Sequence, residues 1–348
     1  MLAGVVTRQQ APAPAQPQKG GTAAPPAGDA FQPAPKNSVE GLRTQLANDP
    51  KALAALDTLQ QRGKLSPNAE GNNRLLDQLA RLSDKPELQS QVVKDLAHPG
   101  QIKQGEGNKF CAATASLSEM ARQNPAGYAR VAADLATTGS SKVHGGVTLQ
   151  AQKDLDPSKM TSMSATQKLM APAVEEYANG ANYNVDSKGV SHATDGRKTD
   201  KTVAGTYSTG MEKMQQALMG HDWDSTYIKG GKQQDASVNS AESTIRQNLK
   251  AGEHPSVSHD GHWFNVTGFR ATPDGGRMTL QDPLTGETKT VNARHFLNKA
   301  EAVTFDKTDT SKDKAKDPEK AMMAKPKHEK PGGGGSTTSS SNPVGDRC

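Results

Sequence analysis

Leucines recur at spacings of three and four in two early segments, first Leu42, Leu46, Leu53, Leu56 and Leu59, then Leu75, Leu76, Leu79 and Leu82. That spacing is the mark of helices burying one face. The stretch GKLSPNAEGN between them is rich in turn residues, so the pattern predicts a short antiparallel helix pair. A further helix is expected from Leu88 to Leu96, stopped by His98, Pro99 and Gly100. Helical periodicity returns from about Phe110 to Arg122, from Pro125 to about Ala136, over 163–178 and 211–219, and in SAESTIRQNLKAG, where Gly252 suits the residue after a helix end. KVHGGVTLQ fits a hairpin.

After Pro255 the pattern becomes that of strands: SVSH, HWFNVTGF, GRMTLQDP and TKTVNARHF, with PDGG at 273–276 as a hairpin turn. Helices first and an antiparallel sheet afterwards predict an α+β fold. The expected organisation is an Ala/Pro-rich tail over 1–37, a helical accessory segment over 38–100, the functional unit over 101–306, and a Lys-rich then Gly/Ser-rich tail over 307–348. Both tails are expected to be disordered, because they offer too little apolar surface to offset the entropy of ordering. The helical segment reads as an accessory cap, with an inhibitory or targeting role as the sharper alternative.

Composition supports that division. The chain is only 33% hydrophobic and 4% aromatic, with a mean hydropathy of -0.75, so part of it must lie outside any core. A formal charge of +5 could point to a polyanion. Its densest run, DKTDTSKDKAKDPEKAMMAKPKHEK, mixes acids among the lysines and has no aromatic for base stacking, so no nucleic-acid partner is expected. The N-terminus MLAGVVTRQQAPAPAQP lacks the apolar run of a secretory signal, and nothing approaches the roughly twenty apolar residues of a membrane span. The expected location is the cytoplasm as synthesised, or outside the cell by a signal-peptide-independent route. Two cysteines, Cys111 and Cys348, make a poor disulfide framework, and Cys111 is expected to be a free thiol.

Three segments carry candidate chemistry. In IKQGEGNKFCAATASLSEM a polar, glycine-rich loop runs into a helix with Cys111 in its first turn. The positive end of the helix dipole favours thiolate there, the form that attacks carbonyls; taken alone, Cys111 fits a buried small apolar residue as well. In GHWFNVTGF, His262 opens an apolar strand, where an imidazole can project over a cleft or sit satisfied at a sheet margin. In TLQDPLTG, Asp282 ends the next strand, near enough to orient His262 or to serve as a plain turn residue. His254, His259 and His262 with Asp260 crowd together as a conceivable metal site, but a strand and turn there would scatter the imidazoles, and neither metal nor cofactor is expected.

Cysteine on a helix, histidine on a strand and an acid on the next strand follow the chain order of the papain-like cysteine peptidases. GEHPSVSHDGHWFNVTGFRATPDGGRMTLQDPLTG resembles the equivalent part of the bacterial double-glycine-leader peptidases and their relatives. In those, a G-x-P turn leads into one strand, the histidine strand ends in V-x-G-[FY], and the next carries D-P-x-x-G. GEHP has one extra residue at the turn, and Ala112 stands where that family usually has Gly after the cysteine. The resemblance implies a papain-like fold, with a catalytic helix packed on a C-terminal antiparallel sheet. It implies Cys111 as nucleophile, His262 as base, Asp282 as its orienting acid and Gln104 as an oxyanion donor, with Gln101 and Asn108 as competitors. The activity it implies is peptide-bond hydrolysis on a peptide or protein substrate. Glutamine deamidation or transamidation would use the same residues, and a catalytically inactive peptide-binding module is the alternative outside enzymes. Tails flanking a core without a signal peptide would also suit a bacterial effector acting on a target-cell protein.

Overall fold

Side-chain caps divide the leucine-rich start into more pieces than its periodicity suggests. Ser38, Asp49 and Asn73 accept backbone N–H groups at the starts of α1 (Val39–Gln45), α2 (Pro50–Gln61) and α3 (Arg74–Ala80). Asp49 followed by Pro50 restarts the helix, so the expected pair is three short helices followed by α4 (Pro86–Ala97). In this computed structural model the described residues are 35–68, 73–180, 183–193 and 203–307. The tails expected to be disordered lie outside them except for 35–37 and Lys307.

Cys111 opens α5 (Cys111–Gln123), and α6 (Pro125–Thr138) follows at once. Asn124 ends the first and caps the second, its Oδ1 accepting the Gly127 N–H at 2.9 Å. A short hairpin, β1 (Ser140–Lys142) with β2 (Thr148–Gln150), matches KVHGGVTLQ. Then come α7 (Ala165–Asn179), a small antiparallel sheet of β3 (Tyr183–Val185), β4 (Val190–Ala193) and β5 (Val203–Ala204), and α8 (Ser208–Met219). The elements α1 to α8 share one hydrophobic cluster. Buried Asp95 on α4 ties that cluster together by accepting from Tyr128 of α6 at 2.8 Å and from Thr166 of α7 at 2.5 Å.

The main sheet is antiparallel throughout, with β6 (Trp223–Tyr227) at one edge, then β11 (Ala300–Asp306), β7 (Ser256–His259), β8 (His262–Arg270), β9 (Arg277–Gln281) and β10 (Thr288–Asn292). The four predicted strands are β7 to β10. The ARHF end of the last is instead α10 (Ala293–Leu297), because Asn292 Oδ1 accepts the His295 N–H and starts a helix. Strands β6 and β11 were not predicted. Helices cover both faces. Trp223, Trp263 and Ala302 belong to the cluster that includes α5 and α8, whereas Val257, Phe264, Val266, Leu280 and Val303 pack with α9 (Gln234–Ala251) and α10. The fold is thus mixed helix and sheet in the α+β manner, and no helix among the described residues is long and apolar enough to cross a membrane.

One acid in this core sets a pH dependence. Burial pushes the carboxyl of Glu175 on α7 up to about 7, against hydrogen bonds from Thr206 and Asn179 that favour the ionised form. Below the ordinary value of 4.5 both folded and unfolded chains hold the proton; as pH rises from there through about 7, only the unfolded chain gives it up. The group therefore costs stability progressively across that window and fully above it. Glu175→Gln is expected to be close to neutral at pH 4.5 and to gain stability relative to the parent at pH 8, by up to about 3 kcal/mol; urea unfolding at the two pH values measures the difference.

Candidate active site

The histidine strand begins at a two-residue turn. Asp260 and Gly261 both have positive φ, 51° and 72°, the type I′ geometry that Asp-Gly favours and that matches the twist of a hairpin. It sets His259 opposite His262. At the other end of β9 the DP-x-x-G segment closes its own turn, with the Gly286 N–H donating to the Asp282 carbonyl at 2.7 Å and the Asp282 N–H to that of Glu287 at 2.9 Å. These two turns bring His262 Nε2 to 2.9 Å from Asp282 Oδ1. The same carboxylate oxygen accepts the Leu284 N–H at 2.9 Å, and Lys289 Nζ lies 3.7 Å from the other. Burial alone would push the Asp282 carboxyl up, but the His262 hydrogen bond, the Leu284 N–H and the charges of His262 and Lys289 outweigh it and hold it below the ordinary carboxylate value. The acid therefore stays ionised over the range in which an imidazole takes up and releases protons. Nε2 faces the acid, which leaves Nδ1 for proton transfer.

Helix α5 is fixed to the sheet by polar contacts of unusual directness. Ala112, Ala113 and Ala115 let its backbone approach. Asn265, in the middle of β8, donates from Nδ2 to the Ala115 carbonyl at 2.8 Å, and its Oδ1 accepts from Ser256, which in turn accepts from Gln215 of α8. Gln281 on β9, paired with Asn265, bonds Ser118 Oγ at 3.1 Å. Further along, the Gln104 N–H donates to the Pro283 carbonyl at 2.8 Å. Passing from 281 to 283 on the sheet thus corresponds to passing from 118 back to 104 beside it. Because β8 runs antiparallel to β9, the same direction leads from Asn265 to His262, so Cys111, Gln104, His262 and Asp282 lie toward one end of the helix–sheet interface.

They do not all lie on one face. Trp263 and Asn265 point to the α5 side, whereas the His262 ring stands edge-to-face on Phe264 at 4.5 Å, and Phe264 packs with Phe296 of α10. Cys111 is fully buried on the α5 side. An imidazole at the first position of the strand meets a sulfur there only around the end of the sheet. Gln104 is buried, with Nε2 donating to the Asn108 carbonyl at 2.8 Å, so one of its two amide hydrogens is held inside its own loop. Asn108 is buried in the same loop and donates to the Gln104 carbonyl, and Gln101 ends an exposed turn.

Cys111 is disulfide-bonded, which corrects the expectation of a free thiol. The only other cysteine in the chain, Cys348, lies outside the described residues. Distance along the chain was a weak argument against pairing, since the entropy of closing a loop grows only with the logarithm of its length. The crowded histidines go to three different carboxylates: His254 to Glu119, His259 to Asp260 and His262 to Asp282. Sequence reasoning missed Lys289, Asn265 and Gln281. Asn265 left a signal, an amide inside an otherwise apolar strand, which implies a buried partner.

No protein-family model matches the chain, and no curated protein matches it.

The Asn265 amide yields a stability prediction. Asn265→Leu strips the Ala115 carbonyl of its donor and the Ser256 hydroxyl of its acceptor and should cost about 2 kcal/mol or more, as buried polar groups left unpaired do. Urea unfolding reads this as a lower midpoint with an unchanged m value.

Proposed function

We propose that the protein is a cysteine-nucleophile acyl-transfer enzyme of papain-like architecture, acting as a peptidase on peptide or protein substrates. The observation that carries this reading is the His262–Asp282 hydrogen bond of 2.9 Å, made by a turn whose Pro283 carbonyl holds Gln104, in the loop that leads into Cys111. In the reduced protein, His262 Nδ1 takes the Cys111 thiol proton, and Asp282 stabilises the imidazolium that results. The thiolate forms a bond to the amide carbon of the substrate. The Cys111 N–H at the start of α5 and the second amide hydrogen of Gln104 are the available donors for the developing oxyanion. The imidazolium returns its proton to the leaving amine as the C–N bond breaks, and water then hydrolyses the acyl-enzyme through the same imidazole. For Cys111 and His262 to meet around the sheet end, the loop over 101–110 and the 282–286 turn must move together. They are already joined: Gly286 packs against Gln101 and Lys103.

The burial and disulfide bonding of Cys111 favour a second reading, a papain-like module that binds peptides without cleaving them. One experiment separates the two. A complex peptide mixture is treated with the reduced protein and with Cys111→Ala, and compared by mass spectrometry. The enzyme reading expects new termini in the first sample only, at bonds with about 18 mass units of added water; a shift of about one unit at glutamine instead marks deamidation. Identical products from both proteins exclude Cys111 as nucleophile. Alkylation of Cys111 by iodoacetamide, mapped by peptide and followed against pH, supplies the second readout: His262→Ala should move the midpoint toward the ordinary thiol value of about 8.5.

A further inference from the structure

Far from this site, at the C-terminal end of α5, three chain segments bring potential ligands together. His221 lies two residues past the end of α8, Glu253 two residues past the end of α9, and Asp306 is the last residue of β11. One ligand atom from each falls within 4.8 Å of the others, and His221 Nδ1 is 2.8 Å from Asp306 Oδ2. Glu253 and Asp306 are buried and His221 is partly so.

The surroundings are built for a cation. Helices α5, α8 and α9 all direct their C-terminal ends here, each carrying about half a negative charge. The acids in and beside the cluster are Glu119, Glu253 and Asp306, all buried, and the permanently charged cation among them is Arg122, which Glu119 already holds. His254 is also directed to Glu119, and Gln123 donates to Glu253. Two buried nitrogens at the margin have no hydrogen-bond partner among the described residues. Trp223 Nε1 belongs to the residue paired directly with Asp306 across β6 and β11, on the same face of the sheet. His144 Nε2 is on a ring packed against Gly220, the neighbour of His221. An indole N–H cannot ligate a metal, but it can donate to a water or carboxylate oxygen that completes a coordination shell.

We propose that His221, Glu253 and Asp306 form a binding site for one divalent transition-metal ion, with water as a further ligand. One imidazole and two carboxylates suit zinc-class ions better than calcium or magnesium, whose sites are built from oxygen. Tetrahedral ligands around zinc stand about 3.3 Å apart for bonds of about 2.0–2.1 Å, so side-chain adjustments of about an ångström seat the ion. It would join the ends of α8 and α9 to β11 and, through the Gln123 side chain that donates to Glu253, act as a structural clamp on the last turn of α5.

The test uses the full-length chain carrying Cys111→Ala, so that no thiol of the candidate active site holds metal. After EDTA treatment and desalting, equilibrium dialysis against zinc chloride with elemental analysis counts the ions bound, and thermal unfolding is followed with and without zinc. The expected result is one tightly bound zinc per chain and a rise in Tm of about 5 °C at a hundredfold excess over Kd. His221→Ala should lose the rise and weaken binding by more than the roughly 10–100-fold that loss of an outer partner costs. If His221→Ala fails to fold, Glu253→Gln, which keeps the shape of the side chain, supplies the same comparison. Zinc bound no more tightly by the parent than by the variant, or an unchanged Tm, overturns the site.

Discussion

A buried amide, Asn265, joins the sheet to the main chain of α5, and the placement of every candidate group depends on that join. Helices usually rest on sheets through apolar side chains, a contact that tolerates small slides. Here the small residues Ala112, Ala113 and Ala115 bring α5 close enough for Asn265 to reach the Ala115 carbonyl and for Gln281 to reach Ser118. Hydrogen bonds do not tolerate a slide, because a shift of one residue would leave buried donors and acceptors unpaired. The register of α5 against β8 and β9 is therefore discrete. Once it is set, the loop that leads into the helix is set beside the 282–286 turn and its last turn beside the start of β7.

The last turn is held by charge rather than by amides. Burial would raise the Glu119 carboxyl, yet His254 and Arg122 hold it at about 2. Arg122 also donates to the Gly252 carbonyl at 3.1 Å, at the end of α9. The GEHP segment, one residue longer than the G-x-P turn it resembles, supplies both Glu253 and His254 to this arrangement. The extra residue thus has a physical role in this chain, since it lets the turn carry an acid and an imidazole toward α5 while Pro255 still leads into the strand.

Local features were legible in the sequence. The boundaries of α5 and α6 followed from the glycine-rich loop, Pro125 and the apolar spacing; the strands β7 to β10 followed from their residue types, and the DP-x-x-G turn from its own residues. Features made by distant partners were not. Strand β11 lies between β6 and β7, more than forty residues from either along the chain, and the Ser, Thr and acidic residues of β6 gave no apolar alternation to read. The same distance hid His221, Glu253 and Asp306, which come from three separate element ends and share no motif. Cys111 pairing was misjudged because chain separation was given more weight than its slow entropy cost allows.

The face on which His262 sits was the hardest feature to foresee, and it bears most on the chemistry. A strand half exposed to water shows its inner face by alternation, but β8 is covered by α5 on one side and by α9 and α10 on the other, so Trp263 and Phe264 are both apolar and both buried. Period-two geometry still groups His262 with Phe264 and Val266, opposite Asn265. Only the position of His262, first in its strand and immediately after a tight Asp-Gly turn, lets its ring serve a group on the far side, because nothing of β8 extends beyond it to intervene. An identical histidine two residues further into the strand would take the place of Phe264, opposite Val257 and against Phe296 in the cluster that packs on α9, and could not reach α5 at all.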